Sequence, residues 1–118
     1  MKYALLIYSA TTDEEWAALS EAEQGAIYGE YRAVSESPGV IGGHQLQSAA
    51  TATTVRVQNG KTLTTDGPFA ETKEVLGGLF VVEADDIDTA LALAERIPAT
   101  RNGSVEVRPL VEDNSGEM

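Results

Sequence analysis

Apolar and polar positions alternate along the chain with two clear periods. Lys2 to Ser9 is a near-continuous run of β-formers, which predicts a central strand covered on both faces. Thr12 followed by Glu15 has capping-box spacing for one short helical turn, with Trp16 and Leu19 pinning it to the core. Ser20 and Glu23 repeat that spacing and open a longer helix, Glu21 to Glu36, on which Ile27, Tyr31 and Val34 share one face with Tyr28 beside them. Pro38-Gly39 ends it.

Gly42-Gly43-His44 reads as a flexible joint and Leu46 to Ser48 as a short strand. Thr51 to Gln58 alternates in period two. Asn59-Gly60 is a hairpin turn signal, because both positions tolerate positive φ, and Lys61 to Thr65 is the return strand. Asp66-Gly67-Pro68-Phe69 breaks the pattern. Glu74 to Ala84 is the next strand, with Gly77-Gly78 marking a bulge or a close approach between two copies. Asp85, with Asp88 three residues on, caps a second helix whose apolar stripe is Ile87, Leu91, Ala94 and Ile97, widened by Ala90. Ser104 to Pro109 is the last strand, with Val105 and Val107 inward and Glu106 and Arg108 outward.

This order predicts an α+β fold, a ferredoxin-like βαββαβ sandwich with an inserted β-hairpin. Two helices cannot cover both sides of a five-stranded sheet, but they can cover one. The other face keeps alternate apolar members of the Tyr3–Tyr8 and Leu79–Val82 runs, so a second copy, sheet to sheet, is expected to bury it. Residues 1–111 form one domain and 112–118 an acidic flexible tail.

Composition narrows the chemistry. Lys plus Arg total 8 against 19 Asp plus Glu, a formal net charge of -11, which disfavours nucleic acid and anionic membrane as partners. The apolar runs are too short to span a bilayer. No secretion signal precedes the first strand, so a cytoplasmic protein is expected. There is no cysteine, which excludes disulfides and thiolate chemistry. One histidine among scattered carboxylates predicts no metal site, and no phosphate loop or other cofactor motif is present.

The segment Asp66 to Glu74 concentrates turn formers and charge. Asp66 accepts from amides further on, Gly67 permits unusual φ/ψ, Pro68 fixes φ and Phe69 anchors the loop. Glu71, Lys73 and Glu74 are then presented near a sheet edge, where carboxylates and an ammonium can hold a polar ligand. Tyr8 ends a strand beside a flexible segment and Arg56 can hold an anion, so both join the candidate ligand set; as an alternative, Arg56 pairs across the hairpin. His44 is available for proton transfer, and Asp66 could orient it if the joint folds back. Trp16, Tyr28 and Tyr31 are either core or the wall of a pocket between the first strand and first helix.

The string Asp66-Gly67-Pro68-Phe69-Ala70-Glu71-Thr72-Lys73-Glu74, continuing through Leu76-Gly77-Gly78, resembles the signature of the YCII-related proteins, the branch often called DGPF-domain proteins. Thr53 to Val57 before Asn59-Gly60, and Val105 to Pro109, extend the resemblance over most of residues 2–110. It implies a ferredoxin-like domain that dimerises into an α/β-barrel-like assembly, with the signature loop near a cleft. Some members of the broader family are proposed enzymes with a histidine on the first helix and an aspartate as an acid–base pair. The first helix here has no histidine and His44 lies after it, so the family's role does not carry over to His44, and His44 and Asp66 are catalytic candidates on their own chemistry alone. Many members resemble proteins encoded beside sigma factors of the extracytoplasmic-function type, but this chain has no DNA-binding helix pair. The expected function is a small homodimer that binds a polar small molecule beside the Asp66–Glu74 loop. The alternatives are a regulatory or protein-interaction dimer and an acid–base enzyme of unknown substrate.

Overall fold

The structure is a computed structural model that describes residues 1–68 and 73–112. Its elements run β1 (Lys2–Ser9), α1 (Asp13–Ala18), α2 (Glu21–Ser35), β2 (Val40–Gln45), β3 (Thr53–Gln58), β4 (Lys61–Asp66), β5 (Val75–Glu83), α3 (Ile87–Glu95) and β6 (Ser104–Pro109). Short 3-10 turns lie at Ala49–Thr51 and Pro98–Arg101.

Local chemistry starts each helix where the sequence places it. Thr12 and Glu15 form a complete capping box at α1, and Ser20 and Glu23 form another at α2. At α3 the cap is Asp86, whose carboxylate accepts from the Thr89 amide. This corrects the expected Asp85–Asp88 cap by one residue.

Strands β2, β5, β1 and β6 form one antiparallel sheet in that spatial order. Each strand–helix–strand unit thus steps over one neighbouring strand, which is the ferredoxin-like arrangement. The expected fifth strand is not part of this sheet. Among the described residues β3 and β4 pair only with each other, closed by Asn59 and Gly60 at φ 50° and 76°. They stand off the body as a two-stranded arm.

The helices lie on one face. Tyr3, Leu5 and Ile7 of β1 and Phe80 and Val82 of β5 meet Val34 of α2 and Ala90, Leu93, Ala94 and Ile97 from α3 and the turn after it. Val105 and Val107 join this core as expected. The α3 stripe is rotated from its predicted position: Ile87 and Leu91 are 45% and 42% exposed, while Ala90 and Leu93 are buried. Ala90, with only a methyl group, lets the helix lie close to the sheet.

Two further expectations change. Gly42-Gly43-His44 is no joint but the middle of β2, in register with β5. A Cβ at Gly43 would lie 2.6 Å from Phe80 Cδ1, so only glycine lets this strand pass the ring without a shift. Leu46 to Ser48 is not a strand. Leu46 makes one bond to the Gly77 carbonyl and the chain then leaves the sheet. The Gly77-Gly78 bulge is present: Ile7 faces Gly78 and Tyr8 faces Leu76, which leaves Gly77 as the extra residue. Residues 113–118 of the expected tail lie outside the described residues.

Candidate functional site

The face of the sheet away from the helices carries Ala4, Leu6 and Tyr8 of β1, Leu79 and Val81 of β5, His44 of β2, and Ser104, Glu106 and Arg108 of β6. These positions follow from the alternation of each strand and the pairing register. The centre is apolar and the two edges are polar.

At one end of this face a cleft of about 320 Å³ is lined by Tyr8, Glu74, Ser104, Val105 and Glu106. Three elements build it. Tyr8 lies near the end of β1 opposite Ser104, the first residue of β6. Glu74 immediately precedes β5. The bulge at Gly77 turns this end of β5, so that Glu74 arrives beside β6 although β5 pairs with β1. Ser104 Oγ donates to Glu74 Oε1 at 2.5 Å. Glu106 accepts from Arg108, with Nε at 2.8 Å. Two carboxylates and two hydroxyls therefore converge, a set rich in hydrogen-bond acceptors.

The second hollow lies on the helical side, about 1040 Å³, between α1, α2 and the β2–β5 edge. Its walls include Trp16, Tyr28, Tyr31, Leu76 and Phe80. Trp16 and Tyr28 meet edge to face, centroids 5.4 Å apart at 80°. Burial pushes the Tyr31 phenol above its ordinary value, partly offset by a hydrogen bond with the Ala99 backbone. Tyr31 thus belongs to the core margin, and Tyr28 to the exposed rim.

The ligand residues read from the sequence separate in space. Tyr8 and Glu74 line the cleft. Arg56 and Asp66 lie on the arm and are exposed, outside the cleft lining. Lys73 is exposed beside Glu74 without lining the cleft. Glu71 lies outside the described residues. The two catalytic candidates also part: His44 is on β2 and Asp66 ends β4, and no hydrogen bond joins them. Ser104 and Glu106 were absent from the expected site. Their signal was the outward alternation of β6, which carries no information about what stands beside it. Among the described residues, no three His, Asp or Glu side chains gather to hold a metal ion.

Comparison with known proteins identifies the family. The YCII-related domain family matches residues 1–114. An uncharacterised protein of Rhizobium meliloti (strain 1021) is similar, 35% identical over 126 aligned positions that take in 100% of this chain and 98% of that protein. The chain belongs to the YCII-related domain family.

Proposed function

We propose that this protein is a homodimer, paired through the open sheet face, that binds a polar small molecule in the cleft of Tyr8, Glu74, Ser104 and Glu106. The carrying observation is the contrast on that face. Ala4, Leu6, Leu79 and Val81 form an apolar centre, and the polar groups converge at its end, where Glu74 precedes β5. An apolar centre with a polar margin has the anatomy of a subunit interface, and pairing there would leave the cleft at its rim. The acceptor-rich lining favours a ligand with N–H or O–H donors, an amine above all, and the net charge of -11 attracts a cation.

Light scattering at micromolar concentration should give twice the chain mass, and Val81→Glu should give a monomer. Ligand-observed NMR with a panel of small polyamines, amino alcohols and neutral polyols should find binders among the amines. Glu74→Gln and Tyr8→Phe should weaken binding and leave the dimer intact. A monomeric parent protein rejects the pairing; undiminished amine binding in both variants rejects the site.

A further inference from the structure

The open face has a self-complementary row. Glu106 is in register with Leu6, Leu6 with Leu79, and Leu79 with His44. Read across the sheet from β6 to β2, the row is acid, leucine, leucine, imidazole. The acidic cleft sits at the β6 edge, while the β2 edge is of opposite character. From Ser37 to Thr65 the chain contains none of its 19 acidic residues. That stretch comprises β2 and most of the arm, and it includes His44, Arg56 and Lys61.

The arm shows what this edge lacks. Among the described residues its two strands pair only with each other; Leu63, on the face that carries Arg56 and Lys61, is 44% exposed, and Val55 and Val57, on the other face, are 61% and 68% exposed. A two-stranded ribbon without a third layer is marginal in water, so this one needs a surface to lie on. The arm departs from the end of β2 at Gln45, which is level with Gly78 and Ile7. That is the end of the sheet where Tyr8 and Ser104 form the cleft, but at the opposite edge.

Two sheets can meet face to face about a twofold axis across the strands or along them. An axis across the strands stacks β2 on β2 and β6 on β6, so both Glu74/Glu106 clefts, with Glu106 paired to Arg108, gather at one edge and both basic arms at the other, where neither arm reaches a cleft. An axis along the strands inverts the row onto itself. Leucine then meets leucine and Glu106 meets the partner subunit's His44, while the partner's arm arrives at the cleft. Setting the basic arm against the acidic cleft gives the second arrangement the charge complementarity that steers association, which the first lacks.

We infer that the twofold axis runs along the strands, so that His44 and the Arg56/Lys61 arm of each protomer close the acidic cleft of the other. The inference rests on the face-to-face pairing proposed above and adds its orientation. The binding site is then composite. Carboxylates and hydroxyls come from one chain, an imidazole and the basic arm from its partner.

The chain contains no cysteine, so the orientation can be read by cross-linking. Within one protomer, positions 44 and 106 are three strand spacings apart, about 14 Å. A bis-maleimide linker shorter than that span cannot join them within a chain. His44→Cys/Glu106→Cys should yield a covalent dimer, and neither single variant should. A covalent dimer from His44→Cys alone means β2 lies on β2 and overturns the inference. Persistence of the dimer mass without cross-linking of the double variant also overturns it but spares the face-to-face pairing. A monomeric parent protein removes both. Independently, Arg56→Glu/Lys61→Glu should raise the dimer dissociation constant about tenfold at low salt, with a smaller effect at high salt. An unchanged dissociation constant rejects the placement of the arm.

Discussion

Ser104 Oγ donates to Glu74 Oε1 at 2.5 Å, joining residues 30 apart in sequence. The bond links the chain just before β5 to the start of β6, two strands that do not pair. It is exposed, so its main effect is on the shape of the cleft. Ser104→Ala should cost no more than about 1 kcal/mol in urea unfolding. Affinity for an amine that occupies the cleft should change by a larger factor than stability does, because the Glu74 carboxylate loses its Ser104 bond at the cleft wall.

Two glycines in the sheet differ in what opposes them. A Cβ at Gly43 meets the Phe80 ring at 2.6 Å, whereas one at Gly78 meets the His44 carbonyl oxygen at 2.7 Å. A ring can rotate at the expense of packing, about 1–3 kcal/mol. A ladder carbonyl moves only with its strand. Both alanine variants should destabilise, Gly78→Ala the more, in denaturant midpoints compared at equal m-value.

Arg101 grips Glu30 with two hydrogen bonds, 2.7 and 3.0 Å, tying α2 to the turn after α3. The guanidinium holds the Glu30 carboxyl below its ordinary value of 4.5. A carboxyl depressed by folding stabilises the protein above its unfolded value, and the contribution is lost as pH falls through the folded one. Glu30→Gln should therefore be slightly less stable than the parent at pH 7. That difference should close as pH drops below 4.5, the value at which the unfolded carboxyl titrates. Thermal melts from pH 7 to 3 measure it; a gap that widens on acidification rejects this role.

Leu63 is 44% exposed on the face of the arm that carries Arg56 and Lys61, so its replacement by serine should leave the monomer fold within about 0.5 kcal/mol. In a dimer that buries the arm, stability also depends on protein concentration. The Tm of the parent should rise from low to high micromolar concentration, and the Leu63→Ser variant should rise less. Parallel curves would show that the arm makes no contact between subunits.

How much of this was legible depends on the range of each interaction. The boxes at Thr12–Glu15 and Ser20–Glu23 and the turn at Asn59-Gly60 close within three residues, so their residue types alone specify them. Strand β6 was read in full, because Val105 and Val107 alternate strictly with polar neighbours. The face of α3 was harder. Ile87–Leu91–Ala94 and Ala90–Leu93–Ala94–Ile97 are both helical stripes, and only contact with the sheet selects the second. The strand through Gly42-Gly43 was hidden for the same reason, since glycines signal flexibility until Phe80 stands opposite.

The sequence by itself determined most of the strands and helices, the capping boxes of α1 and α2, the Asn59-Gly60 turn, the acidity of the chain and its signature segment. All of these depend on residue type and short spacing. Only the tertiary structure decided that Tyr8 and Glu74 share a cleft with Ser104 and Glu106, while Asp66 and Arg56 leave on the arm. Between β2 and β5 the chain departs from the sheet and returns. Residues close in sequence are thereby sent apart, and residues from β1, β5 and β6 are brought together by a register of hydrogen bonds that no local pattern encodes.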